Sequence, residues 1–307
     1  MRPGSRALAG VLLCTALLQG ACSDDPNGPG TDGEAQVTIR LTDAPGDVLA
    51  AVVTIDEIYL QGGAGGRTVL SDEPFTTDLL TLANTSTVIV NGADVEAGTY
   101  SELRFVISGG YVEVEDQAGG SEIFASSPTY AGLPAGVLPD GELVMPSLGQ
   151  SGLKVEFDGA LVLDGTHDLL VDFDVAQSFG KEAGNSGRWI MTPLIRGGET
   201  TEAGTIRVRL ELGTGVTLPL LNGVAVALTD FEAGLDGQAK AIAAASGGGF
   251  EAVFQFRLPG SYDITIQPPA GLSIVTQPAG PVVVNLAAGG EEVVTFMITA
   301  ATVLPGG

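Results

Sequence analysis

Carboxylates are the side chains of this chain best placed to do chemistry. Asp43 and Asp47 flank the turn Asp43-Ala44-Pro45-Gly46-Asp47, Asp172 and Asp174 sit two apart in one alternating run, and Asp56 and Glu57 lie together in another. Calcium takes about six to eight oxygens from carboxylates and carbonyls, and the loops of β-sandwiches can supply them, which makes Asp43, Asp47, Asp172 and Asp174 candidate calcium ligands. Two carboxylates about 5–10 Å apart can also act as a glycosidase pair. A structural reading stands beside both: an acidic protein places Asp on solvated faces and in turns, and Asp43 can hold turn amides through an Asx-type bond.

Other chemistry finds little support. His167 is the one histidine, in Leu163-Asp164-Gly165-Thr166-His167-Asp168, which reads as a hairpin turn. A Ser-His-Asp triad would have to use it, and no G-x-S-x-G elbow supplies the serine. One histidine without a free cysteine excludes the usual zinc sets. The glycine-rich stretch from Gly62 to Gly66 has no Lys-Ser/Thr after it, so it is not a phosphate cradle. Trp189, in an apolar strand, reads as core, and Tyr111 and Tyr130 are candidate platforms for a sugar ring. No catalytic residue is assigned, no cofactor other than calcium is expected, and the chain reads as a non-enzyme.

The elements that position these residues are strands. Gln36 to Thr42, Tyr111 to Glu115 and Gly204 to Leu212 alternate apolar and polar residues with period two, as half-buried strands do. In Leu170 to Val175 the same period sets Val171, Phe173 and Val175 on one side and Asp172 and Asp174 on the other. Glycine and proline recur between short Val/Ile/Leu/Thr runs, the pattern of an all-β protein with many turns. Ala97-Gly98-Thr99-Tyr100 and Pro259-Gly260-Ser261-Tyr262 repeat one local device: glycine makes the turn, and tyrosine offers a ring for packing and a hydroxyl for a corner hydrogen bond. Residues 35–198 read as a first domain and 202–302 as a second, both antiparallel β-sandwiches with Ig-like or transthyretin-like strand spacing.

Composition narrows the partners. Lys plus Arg number 13 against 37 Asp plus Glu, a formal charge of -24 in 307 residues. Such a surface repels phosphate backbones, so no nucleic-acid partner is expected, and it offers no polybasic patch to anionic lipid. Arg2 and Arg6, the apolar run from Ala7 to Leu18, and Gln19-Gly20-Ala21-Cys22 form a short secretory signal. The run is too short to span a bilayer. Its end resembles the lipobox of bacterial lipoproteins, although Gln19 stands where that motif prefers leucine. The resemblance implies a signal peptide over 1–21, lipid on Cys22, and a lipid-anchored protein of the bacterial cell envelope, with Ser23 after the cysteine favouring the outer membrane, facing the periplasm or the cell surface. Residues 22–34 then form a flexible spacer. With Cys14 inside the signal and Cys22 lipidated, the folded part has no disulfide.

Leu41-Thr42-Asp43-Ala44-Pro45-Gly46-Asp47 and Val53-Thr54-Ile55-Asp56-Glu57-Ile58 resemble the opening of the DUF4382 family. Asp78-Leu79-Leu80, Ala97-Gly98-Thr99-Tyr100, Asp172-Phe173-Asp174-Val175 and Pro193-Leu194-Ile195-Arg196 follow in the family's order. That resemblance implies a domain of uncharacterised function in exported proteins and brings no catalytic residues. Asn222-Gly223-Val224-Ala225-Val226, Gly249-Phe250 and Leu258-Pro259-Gly260-Ser261-Tyr262 are similar to carboxypeptidase regulatory-like, or transthyretin-like, modules. The functional expectation is a cell-envelope lipoprotein with a structural or ligand-binding role, its partners a membrane through the lipid and a glycan or envelope protein. The alternative is an extracellular carbohydrate-binding or adhesin-like module assisted by calcium.

Overall fold

Strands carry nearly all of the regular structure in the computed structural model, which describes residues 33–44, 48–62, 66–116, 119–145, 151–179 and 186–305. The signal over 1–21, Cys22, most of the spacer and Asp47 lie outside the described residues. Helix among the described residues is confined to the four-residue turn Val175–Ser178 and three 3-10 turns. No helix there is long and apolar enough to cross a membrane.

The first thirteen strands, from Glu34–Ala44 to Ile195–Glu199, connect into one sheet. Its backbone is the 18-residue strand Gly98–Glu115, which pairs with Ala50–Gly62 along most of its length. The connected path passes through Leu153–Phe157, which pairs with Gly98–Glu115 on one side and with Ile195–Glu199 on the other. Period-two alternation then buries one face of each half. Ile39, Leu41, Val171 and Phe173 from one half share a single core with Val53, Ile55, Leu103 and Phe105 from the other.

The second set of strands forms a five-stranded and a four-stranded sheet, together with a two-stranded ribbon. Ile206, Val208, Phe254, Ile264 and Phe296 make a separate core. Each fully buried side chain of this kind contributes about 1.5–3 kcal/mol. The link between the two strand sets is the short 3-10 turn Thr200–Glu202. Thr31–Gly307 is nevertheless one compact unit.

The all-β expectation holds, with one difference in strand direction. Glu34–Ala44 runs parallel to Thr166–Asp174, and Gly204–Leu212 runs parallel to Glu291–Val303, so the sheets are mixed. Parallel neighbours cannot be joined by a tight turn. Here each pair is joined through most of the strand set that lies between its members. The tyrosine device is present twice. The Tyr100 hydroxyl donates to the Glu96 carbonyl at 2.7 Å, and the Tyr262 hydroxyl donates to the Leu258 carbonyl at 2.5 Å.

Candidate functional site

The parallel ladder brings three of the four candidate calcium ligands to one end of the sheet. Thr42 lies opposite Asp172, Asp43 opposite Phe173, and Ala44 opposite Asp174. Asp43 continues the inward series Val37, Ile39 and Leu41, and its Oδ1 accepts the Val175 amide at 3.2 Å where the chain leaves the sheet. Asp174 caps the short helix, accepting Gln177 N at 2.9 Å and Gln177 Nε2 at 2.7 Å.

The reading of these aspartates as a solvated face is corrected by their burial. Asp43, Asp172 and Asp174 are 0%, 1% and 2% exposed. The alternation that separates Asp172 from Phe173 is right, but both sides of this strand are covered. What faces Asp172 is Arg257 of the second strand set, itself 1% exposed. Its Nη1 lies 3.9 Å from Asp172 Oδ2, and its Nη2 donates to the Asp43 carbonyl at 3.3 Å. Gln255 N donates to Asn84 Oδ1 at 3.1 Å in the same junction. The two cores therefore meet across a buried ionic cluster.

Alternation along Phe250–Arg257 would point Arg257 away from the core face shared by Ala252 and Phe254. Phe256 adopts φ 57°, a left-handed conformation rare for a bulky residue. The kink follows a register shift against Gly204–Leu212 and is where the buried alternation gives way. The missed signal was a basic residue in a base-poor chain, two residues before a proline-glycine corner.

Burial, and then the neighbouring Asp172, pushes the Asp43 carboxyl up to about 9, so it holds a proton at neutral pH. Burial also raises Asp174, opposed by the Gln177 amide, and raises Asp236 nearby. It lifts the Tyr262 phenol to about 12. Asp43 Oδ2, both Asp172 oxygens and Arg257 Nε make no hydrogen bond among the described residues. The cation that faces Asp172 is the Arg257 guanidinium, and Asp43 and Asp174 are held by backbone amides of the turn that follows the strand. Among the described residues no group of three or more His, Cys, Asp or Glu can hold a metal. Nor can buried Asp172 and Asp174 flank a glycosidic bond in water.

The remaining candidates are structural in their contacts. His167 is the second residue of Thr166–Asp174, not a turn residue. The tautomer with its proton on Nδ1 donates to Glu199 Oε1 at 2.7 Å and accepts the Asp164 amide on Nε2 at 3.0 Å. Asp56 accepts Ser108 Oγ at 2.8 Å, and Glu57 pairs with Arg67 at 2.6 Å. Trp189 packs on the first core, its ring 5.2 Å from Phe124. Tyr111 is 7% exposed, too buried for a sugar platform. Tyr130 is half-buried, with Gly109 and Gly132 against its ring and its hydroxyl 2.7 Å from Thr54 Oγ1.

An open cleft of about 650 Å³ lies beside the cluster, between Phe157 and Leu161 on one wall and Leu258 and Pro259 on the other. Arg196 reaches it from the cluster side, its guanidinium 5.7 Å from the Tyr262 ring centroid. Sequence reading passed over this cleft, because its walls come from strands far apart in the chain.

No curated protein matches the chain. Among solved structures, the Bacillus anthracis TIE protein is 10% identical, with 89% of this chain and 42% of that one covered at a TM-score of 0.23. The pilus adhesin SpaC from Lactobacillus rhamnosus GG is 10% identical, with 88% and 32% covered at a TM-score of 0.21. The major pilin from Streptococcus pyogenes is 10% identical, with 87% and 98% covered at a TM-score of 0.16. This chain thus spans less than half the length of the first two. The model of a domain of unknown function, DUF4382, matches residues 34–193, just over half of the 307-residue sequence. That stretch contains Asp43, Asp172, Asp174 and the core around them, and the chain belongs to the DUF4382 family.

Proposed function

We propose that this protein is a lipid-anchored module of the bacterial cell envelope that presents its surface to a partner and catalyses nothing. Cys22 carries the lipid, residues 22–34 act as tether, residues 35–198 form the DUF4382 domain, and residues 202–302 form a carboxypeptidase regulatory-like sandwich. The observation that carries the reading is the use to which Asp43, Asp172 and Asp174 are put: they are closed off from solvent with Arg257 at the junction of two cores. Groups that would have served an acid/base pair instead fasten two sandwiches together, as suits a rigid spacer or platform. Membrane fractionation of cells expressing the wild type and Cys22→Ser tests the anchor. The wild type should sediment with membranes and the variant should be released. Equal partition of the two would refute the lipid reading.

A second reading, an extracellular carbohydrate-binding or adhesin-like module, draws on the cleft. Glu156, Asp158 and Glu202 line it, and their side chains have no hydrogen-bond or ion-pair partner among the described residues. Carboxylates beside apolar walls can hold sugar hydroxyls. A glycan array with the wild type and with Glu156→Gln tests this. Binding weakened by the substitution supports it, and an empty array leaves the platform reading.

A further inference from the structure

From Ile264 to Gly290 the sequence contains no Asp, Glu, Lys or Arg, a run of 27 residues in a chain that is 16% charged, where about four charges would be expected. After Glu291 and Glu292 no charge recurs as far as Gly307. The structure gives this run a location. Leu272–Gln277 is the outer strand of the five-stranded sheet, and Val282–Leu286 is the outer strand of the four-stranded one. Four residues separate them, and the five Cα steps from Gln277 to Val282 reach at most about 18 Å. Both sheets of the second sandwich therefore end on the same flank.

Outer strands present unpaired amides and carbonyls, and proteins usually blunt them with charge, proline or a bulge. The outer strand of the first sheet follows that rule: Thr87–Glu96 carries Asp94 and Glu96, and its pairing with Glu34–Ala44 shifts register twice. Leu272–Gln277 shares one register shift with its neighbour Glu291–Val303, between Val275 and Thr276, but it has no charge and no proline, and its Val275 is 59% exposed; Val283 on the other edge is 61% exposed.

We propose that this uncharged flank is where a second copy of the chain docks, edge to edge, so that the sheets continue from one copy into the other. The charge distribution selects this occupant. At a formal charge of -24, two copies meeting elsewhere set like charges together, and this flank has none to oppose. A two-fold axis makes such a contact self-complementary and closed. Antiparallel pairing across the axis must keep core-facing residues on the core side. Ile274 packs towards the core and Val275 is exposed, so the axis passes through a residue. Centring it on Val275 sets Val275 opposite its own copy, Ser273 opposite Gln277, and Ile274 opposite Thr276.

The test is sedimentation of the full chain in non-ionic detergent over a concentration series. The wild type should dimerise reversibly. Val275→Lys and Val275→Asp, both at an exposed position, should each weaken the dimer at least about ten-fold, because like charges then face each other directly. An equimolar mixture of the two should restore dimers, a rescue that shared micelles or altered folding cannot produce. Val88→Lys, on the outer strand of the first sheet, should leave dimerisation unchanged. A wild type that stays monomeric at about 100 μM, a dimer indifferent to Val275→Lys, or a mixture that remains monomeric would overturn the proposal. So would monomers that bind neutral phosphatidylcholine vesicles through Val275, which would give the flank to lipid.

Discussion

Replacing Arg257 with methionine removes the guanidinium from the junction of the two cores while keeping most of the side chain's length. Asp172 then keeps its burial and loses the charge that faces it. At the observed 3.9 Å, and at an effective dielectric near 20, the lost attraction is about 4 kcal/mol. Breaking one partner of a buried pair costs about 3–5 kcal/mol in general, because the survivor is left uncompensated. For a unit of this size that corresponds to a fall in melting temperature of roughly 10 °C. The loss should come chiefly from the stranded carboxylate, so Arg257→Met combined with Asp172→Leu should recover most of it. Urea unfolding of the wild type, both single variants and the double variant gives the coupling energy through a double-mutant cycle. A loss below about 1 kcal/mol for Arg257→Met, or a double variant no more stable than the single, would refute the ionic junction.

The Asp43 carboxyl titrates near 9 when folded against 3.8 ordinarily, so between those values the native state holds a proton that the unfolded chain has released. Stability from this group is complete below about pH 4 and falls as pH rises, by at most about 1.4 kcal/mol per pH unit until about pH 9. Asp174 and Asp236 shift in the same direction, and Asp43→Asn should flatten the decline of the urea midpoint between pH 5 and pH 8; an unchanged slope refutes the assignment. Tyr100→Phe and Tyr262→Phe each remove one corner hydrogen bond and should cost about 0.5–1.5 kcal/mol in chemical denaturation, more at Tyr262 because the Leu258 carbonyl it leaves is buried. Gly109→Ala would place a Cβ 2.5 Å from the Tyr130 ring and should cost about 1–3 kcal/mol, whereas Gly98, with nothing within 4 Å of such a Cβ, should accept alanine with little loss of melting temperature.

Much of this architecture was legible because period-two alternation is a local property. Val37, Ile39 and Leu41 announce their inward face within one strand, and so do Ile206, Val208 and Leu210. The tyrosine corners were legible for the same reason, since each hydroxyl reaches a carbonyl only four residues away. What stayed hidden was set by contacts distant in sequence. Asp172 alternates away from Phe173 as a solvated residue would, and nothing near it shows that Arg257 covers that face. Arg257 is concealed in turn, because Phe256 leaves the β region and upsets the count that would place its neighbour. The parallel pairing of Glu34–Ala44 with Thr166–Asp174 is also a non-local choice, which alternation leaves open.

Charge then separates the surfaces of this molecule by role. An acidic coat is the default here, so the informative carboxylates are those taken out of it and the informative strands are those left without it. Burying Asp43, Asp172 and Asp174 is costly wherever no partner meets them. Their persistence at 0–2% exposure points to a junction that must form in one register, the best-attested use of buried ionic groups. The uncharged flank of the second sandwich is the converse case. An exposed edge without charge invites pairing, and a protein with 37 acidic residues could have guarded it with one substitution. A junction that fixes the two sandwiches and an edge left open to a like edge give the module we propose a rigid body and a contact through which that body assembles.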